Sequence, residues 1–178
     1  MTGKKVNLDK TVELEKVATN VNYLMAKEDL KSLVVISDKK GEGKTTFIYS
    51  IAPILNRLYS KRILIINEVI DTTDNLASLL GVKESSEIIA KTSHKGIDYV
   101  DLSLANIDIK DSYEFYDLIL VNTQTKREKS NFDIKSKNID GAILITSKRS
   151  KKLIDGEISN VILDKNIPVV GILYNGGI

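Results

Sequence analysis

Lys39-Lys-Gly-Glu-Gly-Lys-Thr-Thr46 gathers the residues of this chain best suited to phosphate chemistry. Gly41 and Gly43 let a turn offer successive backbone N–H groups to an anion. Lys44 follows directly, and its ammonium is long enough to reach the β- and γ-phosphates of a nucleotide. Thr45 offers a hydroxyl to Mg²⁺. The pattern points to ATP or ADP with Mg²⁺ as cofactors, cradled by Lys40, Gly41, Glu42, Gly43, Lys44, Thr45 and Thr46. The alternative is a plain strand–helix turn that contains Gly-Lys-Thr, and the flanking segments weigh against it.

Such a loop needs a strand before it and a helix after it. Leu33-Val-Val-Ile36 is apolar and β-branched, which predicts a buried strand. Phe47, Ile48, Ile51, Ile54, Leu55 and Leu58 then recur at helical spacing, and their number predicts a helix largely surrounded by core. Pro53 lies inside it and cannot donate a bond to Tyr49, which predicts a kink.

The rest of the chain repeats this alternation. Leu14, Val17, Val21 and Leu24 predict an amphipathic helix over about residues 10–27. Arg62–Asn67, Asp117–Asn122, Gly141–Thr146 and Pro168–Tyr174 read as buried strands. Ile97–Leu104 alternates as a strand with one exposed face does, and helices are expected over 84–91 and about 150–165. Strands alternating with helices predict an α/β fold, a doubly wound, mostly parallel sheet with helices on both faces. Ligands of such sheets sit beyond the carboxyl ends of the strands. The loops after Ile36, Ile66, Val121, Thr146 and Tyr174 are therefore expected to form one site.

The phosphate loop departs from G-x-x-x-x-G-K-[ST], because Asp38 stands where the first glycine belongs. Lys39, five residues before Lys44, occupies the place of the signature lysine in the deviant Walker A loops of the MinD/ParA ATPases. Ile36–Thr46 is also similar to the loop of the bacterial tyrosine kinases of capsule and exopolysaccharide synthesis, with Lys40 in place of their proline. Asp71-Thr-Thr-Asp-Asn-Leu-Ala-Ser-Leu-Leu-Gly81 resembles the switch region of both families. Tyr116-Asp-Leu-Ile-Leu-Val-Asn-Thr-Gln124 resembles their YDxxxxDTP strand, and Val169–Gly176 resembles the ending VLGVVLNG. The resemblance covers most of the chain and implies a P-loop NTPase fold of the MinD/ParA type. It implies catalytic roles for Lys39, Lys44 and Asp71, and a metal shell around Thr45, Asn67 and Asn122. Asn175 falls where relatives hydrogen-bond the adenine edge, although a turn residue after a strand is an equal reading.

Two of these positions break the pattern. Asn67 and Asn122 both stand where the families carry aspartate. An amide can orient a metal-bound water but adds no negative charge. Either the acids have shifted, with Glu68, Asp71 or Asp74 taking over, or catalysis is impaired. Losing two anions is expected to cost several kcal/mol of transition-state stabilisation, which favours impairment. The ring-assembly pattern E-x-x-R-x-x-R is also missing, since Val12, Glu15 and Ala18 align with it.

The resemblance thus implies a degenerate kinase-like ATP-binding domain whose partner is the cytoplasmic end of a membrane chain-length regulator. The alternatives are a MinD/ParA-like positioning ATPase that forms a homodimer over ATP, and a non-catalytic scaffold. No tyrosine-rich tail or closing amphipathic helix occurs within these residues.

Bulk properties agree with one nucleotide-binding domain over residues 1–178. The 178 residues are 42% hydrophobic and 28% charged, enough for a sizeable core. A net charge of +2 gives no global nucleic-acid signature, and the absence of cysteine excludes disulfides and thiolate metal sites. No window approaches the roughly 20 apolar residues of a membrane span. A cytoplasmic protein is expected, peripheral at the inner membrane only through a partner. Charge is uneven: nine basic against three acidic residues between Asn122 and Lys152 give that stretch +6, leaving −4 elsewhere. This is either solvated loop or a basic rim for an acidic partner. His94, the single histidine, has no catalytic neighbours in sequence and reads as a loop residue.

Overall fold

The computed structural model describes residues 8–37, 41–68, 75–83, 88–102, 113–123, 139–147 and 167–175. Among these, the strands are β1 (Ser32–Ser37), β2 (Ile63–Glu68), β3 (Ala90–Lys91), β4 (Ile97–Leu102), β5 (Leu118–Asn122), β6 (Gly141–Ser147) and β7 (Val169–Asn175). They form one sheet in the order β3-β4-β2-β5-β1-β6-β7. Every neighbouring pair is parallel except β3 with β4. The six parallel strands therefore end on the same edge, as the doubly wound reading requires.

The reason for the parallel sheet is visible in the strand sequences. All six residues of β1 and all five of β5 are buried, so these strands carry apolar side chains on both faces. One face packs Leu33, Val35, Ile63, Ile65, Leu118 and Leu120 against helices α1 (Leu8–Lys27) and α2 (Lys44–Tyr59). Ala18, Val21 and Met25 of α1 meet this core together with Ile48, Ile51 and Leu55 of α2. The opposite face buries Val34, Ile36, Leu64, Ile66, Ile119 and Val121, with Ile139 and Ile167 packed on them. The helix expected over about 150–165 lies outside the described residues. A short helix, α3 (Leu76–Leu79), ends before Gly81, whose φ of +60° fits a glycine after a helix.

Two aspartates fix the amino ends of the strands. One oxygen of Asp140 accepts from the backbone N–H groups of Lys31 and Ser32, each at 2.9 Å, and from the Ser32 hydroxyl at 3.0 Å. Asp117 accepts from the Arg62 N–H at 2.7 Å, just before β2. On the surface, Arg57 of α2 pairs with Glu15 of α1 at 2.7 Å, and the Tyr59 hydroxyl donates to Thr19 at 3.0 Å.

The structure departs from the sequence reading at the β3–β4 edge. Residues 90 and 91 are strand, not the end of a helix, because they pair antiparallel with Tyr99 and Asp98. Strand β4 is also not open on one face. Asp98 is buried, and its carboxylate accepts from Lys91 Nζ and from the Tyr116 hydroxyl, both at 2.9 Å. A polar side chain can thus occupy an interior position of β4 because a cation and a phenol cover it.

Candidate functional site

The carboxyl end of β1 and the start of α2 supply the central part of the site. Gly41 and Gly43 take φ values of +87° and +102°, left-handed conformations that side chains resist. A Cβ on Gly41 would meet nothing within 4 Å, so backbone conformation and not crowding explains that glycine. Gly43 is the residue before α2, and its carbonyl accepts the first intrahelical bond, from Phe47 N–H at 2.8 Å. The helix itself therefore provides no acceptor for the N–H groups of Lys44, Thr45 and Thr46. These groups and the positive helix end form a place suited to an anion.

Lys44 and Thr45 are half-buried, Thr46 is exposed and Glu42 is buried. Lys44 Nζ donates to the Ser37 hydroxyl at 2.7 Å. This bond anchors the ammonium at the end of β1, beside the turn that precedes its own helix. The turn's amides, the ammonium and the helix end match the charge and donor pattern of a polyphosphate, so the residues fit that group.

A second group of side chains lies along the same edge. Asn67 of β2 is in register with Asn122 of β5 on one side and with Asp101 of β4 on the other. In-register residues of parallel strands share a face, which here is the α2 face, because Ile65, Leu120 and Tyr99 two positions earlier pack there. Asn122 Nδ2 donates to Asn67 Oδ1 at 2.8 Å, and Asn67 Nδ2 donates to Asp101 Oδ1 at 3.0 Å. The Tyr99 hydroxyl donates to the same Asp101 oxygen. Next to this row, the buried Thr123 hydroxyl donates to the Val35 carbonyl at 2.9 Å, tying β5 to β1.

The direction of this chain of bonds follows from chemistry. A carboxylate only accepts, so Asn67 must turn its NH₂ toward Asp101 and its oxygen toward Asn122. Asn122 must then present its own NH₂ to that oxygen. The one metal-binding atom of Asn67 is thus already an acceptor within the row. That oxygen keeps a second lone pair, but at both positions the amide adds no negative charge to a Mg²⁺ site. Thr45 carries the remaining hydroxyl of the expected metal shell. Among the described residues, no group of three or more His, Cys, Asp or Glu could hold a metal ion.

No family model matches the chain, and no curated protein matches it. Solved structures do resemble it. The BceF tyrosine kinase domain superposes with a TM-score of 0.72 at 16% identity, covering 93% of this chain and 77% of that one. The kinase domain of the Escherichia coli tyrosine kinase ETK gives 0.73 at 14% identity, covering 93% and 75%. The septum site-determining protein MinD from Pyrococcus horikoshii OT3, solved with Mg-ADP, gives 0.67 at 19% identity, covering 82% and 70%. The chain has a P-loop NTPase fold of the MinD/ParA type. The β1–α2 turn opens from the carboxyl edge of that sheet, where ligands of such folds sit.

Of the remaining residues singled out in the sequence, Lys39, Lys40 and Asp71 lie outside the described residues. Asn175 ends β7 on the same edge as the β1–α2 turn, in register with Ser147, and its side chain is not among those described. Sequence reasoning missed Ser37, Tyr99, Asp101 and Thr123. Asp101 had a signal: Ile97–Leu102 reads as a strand, and its end should stand level with the end of β2.

Proposed function

We propose that this protein binds ATP or ADP through its P-loop and is a degenerate counterpart of the capsule and exopolysaccharide tyrosine-kinase domains, with impaired phosphoryl transfer. One observation carries the reading most directly. Lys44 is held at the end of β1 by Ser37, at the mouth of a turn whose two glycines take left-handed conformations. Impairment rests on Asn67 and Asn122, which bring neutral amides to positions where this chemistry needs anions. In this reading the partner is the cytoplasmic segment of a membrane chain-length regulator, and residues 1–178 act as one nucleotide-binding domain.

Titration with ATP and ADP tests the binding half, and Lys44→Ala should weaken either nucleotide by at least about tenfold. Turnover tests the other half. Wild-type hydrolysis should be slow, and Asn67→Asp combined with Asn122→Asp should raise it in the presence of magnesium. A wild-type rate equal to that of the double variant would remove the impairment. The likeness to MinD keeps a second reading in view, a positioning ATPase that dimerises over ATP through Lys39. For the kinase-like reading, ATP should leave the sedimentation of the wild type and of Lys39→Ala alike. An ATP-induced dimer that Lys39→Ala abolishes would favour the positioning ATPase.

A further inference from the structure

We infer that β7 pairs antiparallel with β7 of a second copy of this chain, extending the sheet across a two-fold axis. The inference is independent of the nucleotide reading above, since no residue of the β1–α2 turn takes part in it.

The two outer strands of the sheet differ in kind. On one side, β3 is two residues long and carries Lys91, and both brevity and charge discourage pairing with another chain. On the other side, β7 runs for seven residues, Val-Val-Gly-Ile-Leu-Tyr-Asn, with neither a charge nor a proline. Among the described residues, no strand lies beyond it. Three of its apolar side chains are exposed, Val169 at 45%, Ile172 at 48% and Tyr174 at 61%. The outward N–H and C=O groups of such an edge are a template for a further strand.

The local structure of β7 selects both the partner and the register. The strand is bulged against β6: Val169 pairs with Ala142 and Gly171 with Ile143, which leaves Val170 as the extra residue. Val170 packs with Leu173 on the α1 side of the sheet. The regular part of the strand is therefore 171–175. Within it, Ile172 and Tyr174 stand in register with Leu144 and Thr146, on the face away from α1 where Leu144 packs. A two-fold axis through Leu173 sets Ile172 opposite Tyr174 of the copy, and Tyr174 opposite Ile172 of the copy. Each exposed side chain then gains a partner, β-branched against aromatic, a combination that stabilises antiparallel strands. An axis through Ile172 would set Tyr174 opposite Val170, which the bulge turns to the other face. An axis through Tyr174 would carry Ile172 beyond the end of the partner strand. Of the axes perpendicular to the sheet, the one through Leu173 alone pairs both side chains. It also uses the same edge of both copies, so the assembly closes as a dimer.

Sedimentation of the wild-type protein without nucleotide, from about 10 µM to about 1 mM, tests the inference. A monomer–dimer equilibrium is expected, and ATP should leave it unchanged. Ile172→Lys with Tyr174→Lys sets lysine opposite lysine at both pairs and should weaken the dimer by at least about tenfold. Ile172→Lys with Tyr174→Glu sets each lysine opposite a glutamate and should recover most of that loss. Both positions are exposed, so both variants should keep the wild-type far-ultraviolet circular dichroism. If the paired lysines prevent folding, Tyr174→Lys alone takes their place in the comparison. A wild type that stays monomeric throughout, forms a dimer only with ATP or grows past the dimer would overturn the inference. So would a dimer that the paired lysines leave as tight, or a lysine–glutamate variant no tighter than the paired lysines.

Discussion

At residue scale, the amide at position 67 does more than fill the place of an aspartate. It donates to Asp101 at 3.0 Å, so Asn67→Asp alone would set two carboxylates at about the separation of a hydrogen bond. The introduced carboxyl is buried where Asn67 is buried, and both effects raise its pKa above the ordinary aspartate value. A group whose pKa is raised on folding contributes stability below its unfolded pKa and loses it as pH rises through the folded one. The single variant should therefore lose about 1–3 kcal/mol relative to wild type near pH 7, and recover it as pH falls toward 4. Urea denaturation at both pH values measures this, and an equal deficit at the two would show that repulsion is not the cause. The identity of Asn67 and Asn122 was plain in the sequence, and so was their departure from the expected aspartates. Their hydrogen bonds to each other and to Asp101 were not, because Asp101 lies 34 residues beyond Asn67 and reaches it only through strand register.

At the scale of elements, the long buried strands were legible because two-sided burial leaves an unbroken apolar run. The glycine turn before α2 was legible because Gly41 and Gly43 lie within three residues of Lys44, which opens the helix. The β3–β4 edge was not. Its stability depends on a cluster drawn from four segments: Asp98 receives both Lys91 and Tyr116, and Arg62 stacks over the Tyr116 ring at 5.7 Å. Burial and the hydrogen bond to Asp98 push the Tyr116 hydroxyl well above the usual tyrosine range. The neutral phenol is thus the form the fold prefers, so its contribution is complete below about pH 10 and is lost as pH climbs toward the raised value. Tyr116→Phe removes a donor from a buried carboxylate and should cost about 1–3 kcal/mol at neutral pH. The deficit should shrink in strongly alkaline solution, where the wild type loses the same proton. Thermal unfolding of both proteins at pH 8 and above pH 10 checks the sign. A deficit that grows with pH would show that the phenol does not act through its proton.

At the scale of the whole molecule, one edge of the sheet carries both the proposed anion site and the amide row, and α2 joins that edge to the core. Ile48, Ile51 and Leu55 of α2 are essentially inaccessible to solvent, so the helix whose first turn would meet phosphate is also one of the main supports of one face of the sheet. Occupancy of the loop is consequently coupled to global unfolding, since an unfolded chain has neither the left-handed turn nor the aligned amides. Saturating nucleotide at about 100 times its dissociation constant should add about 2.7 kcal/mol to the stability of the folded state. For a chain of this length that corresponds to a rise in melting temperature of about 5–11 °C. Lys44→Ala should melt near the wild-type temperature without nucleotide, because Lys44 is half-buried and its bond to Ser37 is part-buried. With nucleotide it should lose most of the rise. A rise that Lys44→Ala retains in full would move the ligand away from the β1–α2 turn.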